Sequence, residues 1–119
     1  MYKVGVDLGG TKTEIIVLDE NLNILERKRV PTPQNNYNEI IHTITTLVSD
    51  ISKNISEFSL GICCPGAISK QTGLIKNSNT QCLIGKSLQE DLENKLKKNI
   101  WLCCRRVGQR KEDDPRWIY

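Results

Sequence analysis

Apolar and polar positions alternate near the start of the chain. Val4, Val6 and Leu8 are set among Lys3, Gly5 and Asp7, a period of two that predicts a strand. Gly9 and Gly10 break the run. Ile15, Ile16, Val17 and Leu18 then form a continuous, mostly β-branched stretch, suited to a strand covered on both faces. Residues 19–23 make a turn, and residues 22–30 read as a third, more exposed strand. The chain therefore opens as an antiparallel meander. Pro31 and Pro33 end it, since neither can donate to a ladder.

From Tyr37 the spacing changes. Ile40, Ile41, Ile44, Leu47, Val48, Ile51 and Ile55 follow in steps of three and four, which predicts one apolar helix face about five turns long. Strand character returns at residues 58–62, and Pro65 and Gly66 punctuate it. Residues 66–86 hold Gly66, Gly73 and Gly85 among many polar residues, which predicts loops and short strands around a site. Ser87 with Glu90 makes a capping-box pattern, and Leu88, Leu92 and Leu96 repeat every four residues. A second helix is expected over residues 87–97, with a strand beginning near Asn99. The order is β-β-β-α-β-loops-α.

The chain has 119 residues, room for one domain with a real core and little for a second. Its charged fraction of 26% and net charge of +3 argue against disorder and against a nucleic-acid-type charge excess. No apolar run approaches the roughly 18 residues that a membrane span needs. The first residues include Asp7 and no apolar stretch before a small-residue cleavage site, so no secretory signal is expected. The five cysteines are then expected to be reduced thiols in a cytoplasmic protein. Cys63, Cys64 and Cys82 read as small buried hydrophobes, and adjacent cysteines on a strand point to opposite faces, unlike a CxxC metal knuckle.

Chemistry concentrates first at Asp7-Leu8-Gly9-Gly10-Thr11-Lys12-Thr13. Two glycines at a turn between apolar strands let backbone N–H groups approach a phosphate closely. Thr11 adds a hydroxyl and Lys12 a positive charge. Asp7, at the end of the first strand, has the oxygen ligands that magnesium favours. A plain Gly-Gly hairpin turn with no ligand is the alternative. The segment is neither a GxxxxGK[ST] loop nor a GxGxxG fingerprint. His42, the single histidine, falls on the polar side of the first helix and reads as a surface residue.

These segments occur in a recognisable order: DLGGTKTE, VPTPQNNY, LGICCPGAIS, TGLIKNSNT and GKSLQEDLENKL. Together, over about residues 2–100, they resemble the ROK family of bacterial sugar kinases, most nearly its fructokinase-like branch. VPTPQNNY also fits the N-acetylglucosamine kinase branch, and glucose is a further candidate sugar. The resemblance implies the N-terminal lobe of an actin-like, ribonuclease-H-like α/β ATPase fold, with ATP, Mg2+ and a hexose bound between two lobes. Carried over by position, Asp7, Gly9, Gly10, Thr11 and Lys12 match the ATP-phosphate hairpin, with Asp7 a possible magnesium ligand. Pro65 and Gly66 match the turn facing the sugar, where a glycine would let a sugar ring approach the backbone. Asn77 and Asn79 lie in the polar segment nearby and read equally as turn formers beside Gly73. Family members are often homo-oligomers, and neither nucleic acid nor a membrane is an implied partner.

The resemblance also implies groups that this sequence does not match. Sugar phosphorylation needs a base to take the hydroxyl proton. In the family that base is the aspartate of an NDAN-type segment after the second helix and its following strand. The corresponding stretch here reads Trp101-Leu102-Cys103-Cys104-Arg105-Arg106, with no carboxylate before Glu112. No second lobe is matched, nor its Gly-rich adenosine-binding motifs or its zinc-binding His/Cys cluster. Composition shifts at the same point: ten asparagines fall in residues 1–100 and none in 101–119, which hold both tryptophans and four of six arginines. Residues 1–100 are thus expected to be a kinase lobe and residues 101–119 an aberrant or disordered tail, as after a frameshift or truncation. The chain itself would then be an incomplete, inactive fragment. A non-catalytic fragment binding a nucleotide or partner is the alternative.

Overall fold

The computed structural model describes residues 1–105, the side chains of Cys104 and Arg105 excepted. Strands β1 (Tyr2–Leu8), β2 (Lys12–Leu18) and β3 (Ile24–Pro31) form the expected antiparallel meander. β3 starts two residues later than the pattern predicts, because Leu22 is taken into the turn at φ 66°. Helix α1 (Tyr37–Ser52) leads to β4 (Phe58–Pro65), which pairs parallel with β1. A small hairpin of β5 (Ala67–Ile68) and β6 (Ile75–Lys76) follows, then a 3-10 turn, helix α2 (Leu88–Leu96) and β7 (Trp101–Arg105). The main sheet has the order β3-β2-β1-β4-β7.

Both helices pack on one face of this sheet. Ile40, Ile44, Leu47, Val48 and Ile51 of α1, with Leu88 and Leu92 of α2, share a core with Val4, Val6, Leu8, Ile15, Val17, Leu60, Ile62 and Cys64. Alternation along the strands sends Gly5, Asp7, Glu14, Ile16 and Cys63 to the opposite face. Cys63 and Cys64 are accordingly both buried, on different sides; Cys82 is only half-buried, less than expected. The two helix starts differ. Asn36 caps α1, its side chain accepting the Glu39 N–H at 3.0 Å. At α2 the expected capping box does not form: Ser87 makes no side-chain cap bond, because its ψ of 68° is not the extended geometry of a working N-cap. α1 also stops at Ser52, short of Ile55, which leaves the helix and still packs against the core. His42 is exposed, as expected.

The strand expected near Asn99 is β7. Glu93 accepts the Ile100 N–H at 2.9 Å and Gln89 donates to the Ile100 carbonyl at 3.0 Å, so α2 itself sets the entry to β7. β7 pairs parallel with β4 from Gly61 against Trp101 to Pro65 against Arg105. The strand thus takes in the first five residues of the segment read as a tail; beyond Arg105 that reading lies outside the described residues. No helix among the described residues is long and apolar enough to cross a membrane.

Candidate functional site

Because β1 and β4 run parallel with Asp7 level with Cys63, the hairpin after β1 and the turn after β4 emerge at the same end of the sheet. That end, at the carboxyl termini of parallel strands, is where open α/β sheets place ligands. The structure therefore brings the two leading sequence motifs side by side. It also brings the third: Ser78 packs against Gly66, and the Thr80 hydroxyl lies 3.7 Å from where a Cβ on Gly10 would stand. Asn77 and Asn79 flank Ser78 and are both exposed, Asn77 in the left-handed region at φ 54°.

The hairpin is closed by the Gly9 N–H donating to the Lys12 carbonyl at 2.9 Å. A Cβ on Gly9 would come within 2.7 Å of that carbonyl, so this position is closed to any side chain. Gly10 is different. Its φ is not positive, and a Cβ would meet only the Thr80 hydroxyl at ordinary contact distance. Nothing packed around it among the described residues requires a glycine there. Among the described residues, no group accepts the N–H of Gly10 or of Thr11. Thr11 and Lys12 are exposed at the tip.

Behind the tip the carbonyls are held. The Thr32 hydroxyl donates to the Gly9 carbonyl at 2.8 Å, Gln34 Nε2 donates to the Gly10 carbonyl at 2.9 Å, and the Thr32 N–H donates to the Thr11 carbonyl at 2.9 Å. With its own proton given to Gly9, Thr32 Oγ1 accepts from the buried Thr13 hydroxyl at 2.8 Å. Thr32, Gln34 and Thr80 were not singled out in the sequence; the one available signal was Thr32 standing between two prolines, Pro31 and Pro33.

Asp7 is buried at the end of β1, directly across from Glu14 on β2. Glu14 in turn faces two guanidinium groups of β3, Arg27 at 3.1 Å and Arg29 at 2.9 Å. The loop after the meander leads into α1 through Tyr37, whose hydroxyl donates to Asp91 of α2 and whose ring lies 5.2 Å from Lys86 Nζ. Burial first, then the Asp91 carboxylate, push the Tyr37 hydroxyl far above its ordinary value.

Gly66 departs from its expected reason. It sits at φ +106°, and a Cβ there would stand 2.8 Å from the Lys76 carbonyl and 3.0 Å from Ser78 Cβ. The space a side chain would need is filled by the chain's own β6 and the residues after it, so tight internal packing already requires the glycine. A cavity of about 410 Å3 elsewhere on the sheet is lined, among others, by Gly5, Ile16, Gly61 and Trp101 and by none of the candidate phosphate- or sugar-binding residues. Among the described residues, no three His, Cys, Asp or Glu side chains gather as a metal cluster.

Known proteins resemble this chain over most of its length. The N-acetyl-D-glucosamine kinase of Pectobacterium atrosepticum is 36% identical over 97 residues, covering 81% of this chain and 32% of that protein. The protein of the same name from Haemophilus influenzae matches with the same identity and coverage. The chain thus spans about a third of the length of these curated relatives. Among solved structures, a ROK family glucokinase from Streptomyces griseus, in complex with glucose and AMPPNP, superposes with a TM-score of 0.75 at 24% identity, covering 86% of this chain and 32% of that one. A ROK hexokinase from Thermus thermophilus gives 0.68 at 23% identity, covering 87% of this chain and 35% of that one. These likenesses establish the fold, a portion of the actin-like, ribonuclease-H-like architecture. The ROK family pattern itself runs from residue 3 to residue 103, through the glycine hairpin, the Pro65 turn and both helices, and the chain belongs to the ROK family.

Proposed function

We propose that this chain supplies the nucleotide-phosphate hairpin and the sugar-facing turn of an ATP-dependent sugar kinase, with N-acetylglucosamine as its sugar. The observation that carries the reading is Gly10: a glycine that neither its backbone angle nor its described neighbours demand, at a tip where the N–H groups of Gly10 and Thr11 have no acceptor among the described residues. A phosphate in contact with the backbone is what such a vacancy suits. The names of the relatives favour the N-acetylated sugar over fructose, to which the segment TGLIKNSNT inclines on sequence alone.

In this reading the N–H groups of Gly10 and Thr11, the Thr11 hydroxyl and the Lys12 ammonium receive phosphate charge. Asp7 would hold a magnesium ion through a carboxylate oxygen, the donor type that suits this cation. The magnesium would neutralise charge on the transferring phosphoryl group. Asn77 and Asn79 present amide donors and acceptors to sugar hydroxyls, beside Pro65 and Gly66. The acceptor hydroxyl must still lose its proton to a base. No carboxylate stands between Ile100 and Glu112, so the 119 residues alone are expected to bind without turnover.

Calorimetric titration of the purified chain tests this. MgATP should bind, and N-acetylglucosamine should bind better than fructose or glucose. Absence of any nucleotide binding would overturn the reading, and a preference for fructose would overturn its choice of sugar.

A further inference from the structure

The order of hydrogen bonds behind the glycine hairpin has a geometric consequence. Three consecutive carbonyls, those of Gly9, Gly10 and Thr11, each accept a bond from residues 32–34: the Thr32 hydroxyl at 2.8 Å, Gln34 Nε2 at 2.9 Å and the Thr32 N–H at 2.9 Å. No peptide bond among the described residues is cis. In a planar trans peptide the carbonyl oxygen and the following N–H point in opposite directions. Anchoring the Gly9 and Gly10 carbonyls on one side therefore turns the N–H groups of Gly10 and Thr11 to the other.

We infer that residues 32–34 form a positioning strap that holds the hairpin's carbonyls away from a bound polyphosphate and presents the Gly10 and Thr11 N–H groups to it. The inference rests on the phosphate-binding reading of the hairpin and adds to it the residues that prepare the site. Glycine peptides are free to flip, and a flip would set a carbonyl dipole against the phosphate. The strap opposes that flip at both glycines with side-chain donors. Its base is buried: Thr32 is 4% exposed, and Thr13, whose hydroxyl donates to Thr32, is fully buried. Donor chains of this kind polarise and strengthen one another. Its tip is open: Gln34 is exposed, and its amide also donates to the Thr32 carbonyl at 3.0 Å, which fixes the side chain over Gly10. Neither Thr32 nor Gln34 touches the anion. Both are positioning residues.

The test uses the full chain and inorganic tripolyphosphate, followed by amide NMR. In the native protein the Gly10 and Thr11 amide resonances should move with the titration. Thr32→Val, close to isosteric and lacking the donor, and Gln34→Ala, at an exposed side chain, should each weaken binding by about tenfold, the worth of one well-placed hydrogen bond. Thr32→Ser should restore affinity to near the native value, which a purely steric role for Thr32 would not do. Native affinity in both Thr32→Val and Gln34→Ala overturns the strap and leaves the hairpin reading standing, whereas binding that leaves the Gly10 and Thr11 amides unmoved overturns both. No binding to the native chain overturns the hairpin reading, and the strap with it.

Discussion

Gly9 and Gly66 end neighbouring parallel strands and both exclude a side chain, yet for different causes. At Gly9 φ is not positive and the obstacle is a single carbonyl, that of Lys12, 2.7 Å from a Cβ. At Gly66 the obstacle is double: the Lys76 carbonyl at 2.8 Å and a φ of +106° that L side chains avoid. The hairpin after β1 is held by side-chain donors on its carbonyls, whereas the turn after β4 is held by the shape of its own backbone. Gly10 belongs to neither class, since the protein leaves it room. The same residue type thus marks three situations, and of these three glycines Gly10 alone is left room for a side chain.

Substitution separates these cases. The largest effect is expected for Gly66→Ala. Strained φ costs roughly 1–3 kcal/mol and overpacking adds about 1–3 kcal/mol, so urea unfolding should show a loss of about 2–6 kcal/mol. A loss well below that would mean the turn relaxes easily and the contrast with Gly9 is weaker than the geometry indicates. Gly9→Ala should cost about 2 kcal/mol from the Lys12 carbonyl clash alone. Its control is Gly10→Ala, expected to change stability by less than about 0.5 kcal/mol while weakening MgATP binding. Equal stability losses at Gly9 and Gly10 would erase the distinction between them.

A more modest loss than at Gly66 or Gly9 concerns the far end of the hairpin's support, where the loop from Thr32 passes into α1. Tyr37→Phe removes the bond to Asp91 and should cost about 1 kcal/mol at neutral pH. The Tyr37 pKa is raised on folding, so the folded state holds this proton more tightly than the unfolded state. That stabilisation is complete below the unfolded tyrosine value of about 10 and declines as pH rises above it. The gap between native and Tyr37→Phe chains should therefore narrow above about pH 10, read from unfolding curves across that range. A gap that stays constant to higher pH would separate Tyr37 ionisation from stability.

Local periodicity made much of this fold legible. The alternation at Val4, Val6 and Leu8 and the helical spacing from Ile40 to Ile51 correspond to β1 and α1, because in each case the apolar residues share the one face that packs into the core. Parallel pairing hid the extent of β7. A strand flanked by a parallel neighbour reads as a run without alternation, and Trp101-Leu102-Cys103-Cys104 resembled a loss of structure. The hairpin itself was legible as Asp-x-Gly-Gly-Thr-Lys. Its strap was not, since bonds between Gly9 and Thr32, and between Gly10 and Gln34, join residues more than twenty positions apart. Only folding the meander brings them into reach. Gly66 was legible as a required glycine, though the sequence suggested an approaching sugar where the structure shows the chain's own Lys76 and Ser78.

β3 carries one more consequence. It lies at an edge of the sheet among the described residues, and nearly all of it faces solvent. An open strand of this kind ordinarily invites a neighbouring molecule to add its own strand and extend the sheet without limit. Here Glu26, Arg27, Lys28 and Arg29 put consecutive charges along that border, and Pro31 terminates it with a residue that has no N–H to offer. Arg27 and Arg29 are moreover turned inward to Glu14, so the charges cannot all swing aside to admit a newcomer. Sheet-to-sheet growth, the usual route from a crowded solution to fibrous aggregate, is blocked on this side by the residues that also hold the β2–β3 pair in register.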